Sequence, residues 1–104
     1  MFVRLSFCKF IPGKTREAKK IFQEEIVPAI RKQKGNIQVR LLEPTDKSED
    51  FISYTEWKTR ADAETYVSSG AYKKMVGKLE AYFTKFPELK TYLVEEVHAK
   101  TDHL

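Results

Sequence analysis

The chain has 104 residues, of which 41% are hydrophobic, and this predicts a single folded domain over residues 1–104 and excludes a disordered chain. Its net charge is only +4 with acids interleaved among the lysines and arginines, so we expect solvated helix faces and no nucleic-acid partner. The sequence has no stretch of about 20 apolar residues, so we expect no membrane partner. Because it has no recognisable export signal and only one cysteine, we expect a cytoplasmic location.

The first half of the chain predicts a strand, a helix and a second strand. Side chains alternate over residues 1–11, as they do in a strand. Thr15 follows a Pro-Gly turn and is a candidate N-cap for a helix over residues 15–33, which Pro28 should bend. Alternation returns over residues 37–43, with Ile37 expected on the same face as the next two apolar residues.

The second half predicts a strand, two helices and a last strand. Residues 51–57 are rich in β-branched and aromatic side chains, which favour a strand. Thr59, with Asp62 three residues later, is typical of a helix start, and Ser69-Gly70 indicates a second one.

The second of these helices should end at Phe86, the last residue of its apolar stripe, because Pro87 follows. A last strand is expected over residues 91–97. Residues 97–104 read as a tail, with His98 as a surface residue.

The element order predicts an α+β, ferredoxin-like split βαββαβ fold, with a four-stranded antiparallel sheet and the helices on one face. Large apolar side chains occur in both alternating sets of each strand, such as Phe2 beside Val3 and Tyr92 beside Leu93. A sheet with one face in water would alternate more cleanly. We therefore expect a second copy of the chain to cover the open face, giving a homodimer.

Several short motifs occur in a recognisable order: Pro12-Gly13-Lys14, Val27-Pro28-Ala29, Gly35-Asn36, Tyr54-Thr55-Glu56-Trp57 and Ser69-x-x-Tyr72. Together with the element order, they resemble the antibiotic-biosynthesis monooxygenase-like family of dimeric α+β barrels. The resemblance implies a cavity between sheet and helices in each subunit. It also implies that some relatives oxidise phenolic or quinol-like aromatic compounds with molecular oxygen, using neither a metal nor a flavin. Other relatives degrade haem, and others have no known reaction.

Oxidation of an aromatic compound without a cofactor needs an aromatic-lined slot, a base that draws the substrate towards its phenolate, and a donor for the developing anion. Glu56 is the candidate base, and Tyr54 or Ser6 the candidate donor. The residues expected to bind a small aromatic substrate, close to the turn after the third strand, are Trp57, Tyr66, Tyr72 and Val76. We expect no cofactor and no metal site, since the chain has no cluster of cysteines and histidines.

Each candidate also has a structural explanation. The aromatic residues could fill the core or an interface, and Glu56 could pair with Arg4 or Arg40 across the sheet. Cys8 is expected to be a small buried strand residue rather than a nucleophile. A dimer that binds a small hydrophobic ligand without turnover is therefore the alternative function.

Two other functions are less compatible with the sequence. In the haem-degrading relatives an Asn, a Trp and a haem-ligating His fall on or near Ser6, Tyr66 and Val76, and a valine offers no nitrogen to iron. RNA-recognition domains share the topology, but residues 50–57 lack the basic residue and the glycines of the RNA-binding motif.

Overall fold

Four antiparallel strands form the sheet of the computed structural model, which describes residues 1–95. In the order β2-β3-β1-β4, the strands are β1 (Phe2–Cys8), β2 (Asn36–Leu42), β3 (Phe51–Trp57) and β4 (Glu88–Leu93). The helices pack on one face, and the strands β1 and β3 are central. This arrangement confirms the predicted α+β, ferredoxin-like βαββαβ class. Within residues 1–95, no helix has the length and apolar character needed to cross a membrane.

The helices fall into two groups. The first consists of α1 (Thr15–Ile21), a π turn (Phe22–Ile26) and α2 (Val27–Arg31). The second consists of α3 (Arg60–Ser68), α4 (Ala71–Leu79) and a final 3-10 turn (Glu80–Tyr82). Thr59 caps α3 as predicted, because its hydroxyl accepts a hydrogen bond of 3.0 Å from the backbone N–H of Asp62. Thr15 does not act as a cap; Lys14 occupies that position, without a side-chain hydrogen bond.

A π turn lies directly before Pro28, where the sequence predicted a bend. Its last hydrogen bond runs from the N–H of Val27 to the carbonyl of Phe22, five residues earlier, and Pro28 follows at once. The residues that this helix buries are spaced by four: Ala18, Phe22, Ile26 and Ile30. In a regular α-helix, residues spaced by four are about 40° apart around the helix axis, so a row of them drifts away from the sheet. The wider π turn reduces this drift, so all four side chains stay on the sheet.

Helix α4 ends at Leu79, not at Phe86 as the sequence predicted. Phe83 is extended, forms a β-bridge with Phe10, and stacks on its ring at 5.7 Å. This long-range pairing draws the chain out of the helix, and Phe86 is left 77% exposed. The last strand accordingly begins at Glu88, earlier than predicted, and ends at Leu93. The predicted tail, residues 97–104, lies outside the described residues.

The strand register separates the two faces of the sheet. One face of β1 lies beneath the helices and carries Phe2, Arg4, Ser6 and Cys8. Their partners on β3 are, in the same order, Trp57, Thr55, Ser53 and Phe51. The other face of β1 carries Val3, Leu5 and Phe7, which pair with Glu56, Tyr54 and Ile52 on the face without helices, called here the open face. A bulge between Asn36 and Gln38 displaces Ile37, which is 38% exposed instead of sharing a face with Val39.

Gly35 joins the first helical group to β2 and has a φ of +80°. A Cβ at this position would overlap the carboxylate of Asp62. We therefore expect Gly35→Ala to lower the free energy of unfolding by about 2–4 kcal/mol, from backbone strain plus displacement of Asp62. Urea unfolding at one fixed protein concentration measures it.

Gly13→Ala is the matched control, because Gly13 has a φ of +86° but no atom within 4 Å of the added Cβ. It carries the backbone strain alone and should cost only about 1 kcal/mol. Equal losses for both variants would show that the contact with Asp62 contributes nothing.

Candidate functional site

A cavity of about 30 Å³ lies between the central strands and the helices. Its wall is mostly apolar, with contributions from Phe22, Ile26, Met75, Val76 and Leu79. This volume holds roughly one water molecule. An aromatic ligand therefore has to displace side chains, and Met75, with its three rotatable bonds, is the most adaptable residue of the wall.

Hydroxyl groups gather at one end of this cavity. Ser6 and Ser53 from the sheet and Tyr66 and Tyr72 from the helices line both it and an adjoining space of about 10 Å³. Ser6 Oγ and the Tyr72 hydroxyl share a hydrogen bond of 2.8 Å. The two spaces together make an apolar slot with a polar end, which is the shape that suits an aromatic ring carrying an oxygen substituent.

Local structure explains why these groups meet. The pairing of Ser6 with Ser53 places both under the helices. Gly70, with a φ of +88°, turns the chain between α3 and α4 and so brings Tyr72, in the first turn of α4, over β1. Tyr66 is one helical turn after the buried Ala63, and its ring meets the ring of Tyr72 edge-on at 5.9 Å.

Arg4 brings a positive charge to the polar end. It borders the smaller space, and its Nε donates a hydrogen bond of 2.8 Å to the carbonyl of Ala63. Burial lowers the pKa of the Arg4 guanidinium, partly offset by the charge of Glu64. Even with that shift, a guanidinium stays protonated at neutral pH.

The two cavity tyrosines are donors rather than bases. Burial raises the pKa of the Tyr66 phenol, and the neighbouring Tyr72 raises it further. Burial also raises the pKa of Tyr72, although its hydrogen bond to Ser6 acts in the opposite direction. Both phenols therefore stay protonated at neutral pH. No carboxylate or imidazole from residues 1–95 lines either space.

Tyr54 and Glu56 do not lie in this slot. Strand alternation puts both on the open face, where the Tyr54 hydroxyl donates a hydrogen bond of 2.5 Å to Glu56 Oε1. Burial, together with that hydrogen bond, raises the pKa of Tyr54 to about 12. Glu56 is therefore not placed to act as a base on a ligand beside Tyr66. It does not pair with Arg4 either, because Arg4 is on the other face.

Trp57 is close to the slot but does not line it. Its side chain is 0% exposed, its Nε1 donates a hydrogen bond of 2.8 Å to Thr55 Oγ1, and its ring stacks on Tyr66 at 4.8 Å. Trp57 thus supports Tyr66 from behind. Of the seven predicted site residues, the structure brings four together at the slot: Ser6, Tyr66, Tyr72 and Val76.

Three polar residues that line the smaller space were not predicted as site residues: Arg4, Ser53 and Thr55. Strand alternation was a usable signal for them, because it puts Arg4 on the same face as Ser6 and puts Ser53 on the same face as Thr55. Cys8 lines the slot and is only 4% exposed, as expected of a small buried strand residue. Burial raises the pKa of its thiol to about 12, with a further contribution from Asp50, so it is no nucleophile at neutral pH.

The described residues do not fit a haem group. Val76, which the resemblance places on or near the position of a haem-ligating His, is a buried part of the cavity wall and has no nitrogen. Within residues 1–95, no three His, Cys, Asp or Glu side chains come together as a metal site. His98 and His103 lie outside the described residues.

Comparison with known proteins gives a family profile and several structures. The profile described as antibiotic biosynthesis monooxygenase matches residues 1–78. No curated protein sequence matches the chain. A protein from Nitrosomonas europaea assigned to the antibiotic biosynthesis monooxygenases is 21% identical, with a TM-score of 0.72 over 90% of this chain and 98% of that one.

Two other similar structures come from proteins with described ligands or activities. SnoaB from Streptomyces nogalater, described as a cofactor-independent oxygenase, is 15% identical, with a TM-score of 0.72 over 95% of this chain and 98% of that one. MhuD, as a mutant with two manganese protoporphyrin IX molecules bound per active site, is 19% identical, with a TM-score of 0.74 over 95% of this chain and 100% of that one. At these identities, the likeness shows a shared fold.

Proposed function

Because the chain belongs to the antibiotic biosynthesis monooxygenase family, we propose that its slot binds a small phenol- or quinol-like aromatic compound and promotes the oxidation of that compound by molecular oxygen. The observation that carries the proposal is the apolar slot that ends in the Ser6–Tyr72 hydroxyl pair. Similarity to SnoaB, described as a cofactor-independent oxygenase, supports the same activity.

Once side chains make room for the ring, the lining of the slot suits the reactants of such an oxidation. The apolar wall suits both an aromatic ring and O2, which has no charge. One proton of the Ser6–Tyr72 pair forms the bond between the two hydroxyls, and the other can be donated to the substrate oxygen as it gains negative charge. The charge of Arg4 acts in the same direction. The electron-rich anion then reduces oxygen.

The atoms balance without a further reductant. In a phenol, a ring carbon para or ortho to the hydroxyl loses its one hydrogen, and the hydroxyl loses the other. One atom of O2 enters that ring carbon, giving a quinone, and the other atom leaves as water with both hydrogens. Since Tyr66 and Tyr72 stay protonated and no described carboxylate lines the slot, the substrate has to lose its proton through its own acidity. The rate should therefore rise with pH and level off once the pH exceeds the pKa of the bound substrate.

Oxygen uptake tests this proposal. With a panel of hydroquinones, polyphenols and anthrone-like compounds, we expect at least one to be consumed together with O2 well above the rate in buffer. Tyr72→Phe should lower kcat/KM by about 10- to 100-fold, because one donor to the developing anion is lost.

Tyr54→Phe is the matched control. It also removes a hydrogen-bonded phenol, but on the open face, and should leave kcat/KM within about twofold of the original. A larger loss with Tyr54→Phe than with Tyr72→Phe would favour a site at Tyr54 and Glu56. Binding without oxygen uptake for every compound would favour the alternative, a ligand-binding protein without turnover.

The active form in this proposal is a homodimer formed through the open face. The central strands hold Leu5, Phe7 and Ile52 on this face only half-buried, and Leu42 and Tyr92 beside them are 41% and 46% exposed. An apolar sheet surface of this kind is typically covered by another subunit. The cytoplasmic location and the absence of nucleic-acid and membrane partners stay predictions.

A further inference from the structure

Arg4 is a half-buried cation without a carboxylate partner in the described part of the chain. Its Nε is bonded to the carbonyl of Ala63, a neutral group. No acidic side chain of residues 1–95 lies within 4.0 Å of its guanidinium, and Glu64 acts on it only at longer range. The exposed arginine of the same region, Arg60, does have a carboxylate partner, at 3.7 Å in Glu64.

The surroundings of Arg4 are neutral hydroxyl groups. Ser6, Thr55, Tyr66 and Tyr72 line the same space, and the raised pKa values of the two tyrosines keep them uncharged. A guanidinium has five N–H donors in a planar fork, of which Ala63 uses one. The fork matches the two oxygens of a carboxylate, and the pair is stronger than a bond between neutral groups.

Arg4 lies next to the polar end of the slot. Ser6 is two residues further along the same strand face, and it borders both the apolar slot and the space beside Arg4. A ring in the slot, with its phenolic oxygen near Ser6 and Tyr72, would therefore place a neighbouring substituent next to Arg4.

We propose that Arg4 determines substrate specificity by binding a carboxylate on the aromatic substrate. The substrate class is then a hydroxylated aromatic acid rather than an uncharged phenol. This assignment rests on the proposed binding of an aromatic compound in the slot, but it does not depend on turnover.

The test compares 1-hydroxy-2-naphthoate with 1-naphthol, which has the same rings and hydroxyl but no carboxylate. We expect calorimetric titration to show that the naphthoate binds at least about tenfold more tightly. Arg4→Gln should weaken naphthoate binding by at least about tenfold and change naphthol binding by less than about twofold. Arg4→Lys keeps the charge but loses the fork, so its affinity for the naphthoate should lie between those of the original protein and Arg4→Gln.

Arg60→Gln is the control for a general change in surface charge, since its side chain is 74% exposed and lies outside the slot. Arg60→Gln should leave the affinities for the naphthoate and for naphthol within about twofold of those of the original protein. Thermal unfolding of each variant shows whether it is folded.

Three results would overturn the assignment: equal affinity of the original protein for the two ligands, equal losses for both ligands in Arg4→Gln, or no binding of either ligand at millimolar concentration. Carboxylate selectivity without oxygen uptake would refute the proposed oxidation and leave the role of Arg4 intact. Oxygen uptake without carboxylate selectivity would refute the role of Arg4 and leave the proposed oxidation intact.

Discussion

Trp57→Ala should lower the free energy of unfolding by about 3–5 kcal/mol, the range for truncating a large buried aromatic side chain. Trp57 is the largest of the fully buried side chains in residues 1–95, and it stacks on Tyr66. The stability of a small domain is only about 5–15 kcal/mol, so the variant should be near the edge of unfolding at 37 °C. Urea unfolding followed by circular dichroism measures the loss.

Trp57→Phe separates packing from hydrogen bonding. It keeps an aromatic ring in the core but removes the bond from Trp57 Nε1 to Thr55 Oγ1, and should cost about 1–3 kcal/mol. If Trp57→Ala instead kept its stability and lost only ligand affinity, Trp57 would line the binding site, as the sequence first suggested, and the position of the slot would be wrong.

Ile52→Glu should convert the proposed dimer to a monomer. Ile52 lies in the apolar centre of the open face, between Phe7 and Leu42 in the strand register. An unpaired carboxylate buried in a symmetric interface occurs twice per dimer and should weaken association by at least about 100-fold. Size-exclusion chromatography with light scattering at micromolar concentration measures the change.

Thr65→Glu adds the same charge on the exposed surface of α3 and should leave the dimer intact. A monomeric original protein at this concentration would refute the dimer. A dimeric Ile52→Glu would show that association uses another surface.

Local signals were sufficient for much of the fold. The strand over Phe51–Trp57 and the start of α3 at Thr59 follow from β-branched residues and a capping pattern, each contained in a few consecutive residues. The end of α4 could not be predicted in this way. It depends on the pairing of Phe83 with Phe10, more than 70 residues earlier in the chain.

The site was predictable in part for a similar reason. Ser6 and Tyr72 belong to distant segments, and only the resemblance to a known family placed them in one cavity. The sequence alone predicts that Glu56 and Trp57 lie on opposite faces of the sheet, because adjacent strand residues point to opposite faces. Which face carries the helices depends on packing over the whole sheet, and the pattern of one strand does not contain that information.

Amide chemical-shift mapping by NMR, during titration with 1-hydroxy-2-naphthoate, tests most directly whether the ligand site lies between the sheet and the helices. We predict that the largest shifts occur at Ser6, Tyr66, Tyr72 and Val76. The largest shifts at Arg40, Tyr54 and Glu56 would instead place the ligand on the open face and contradict the proposed site.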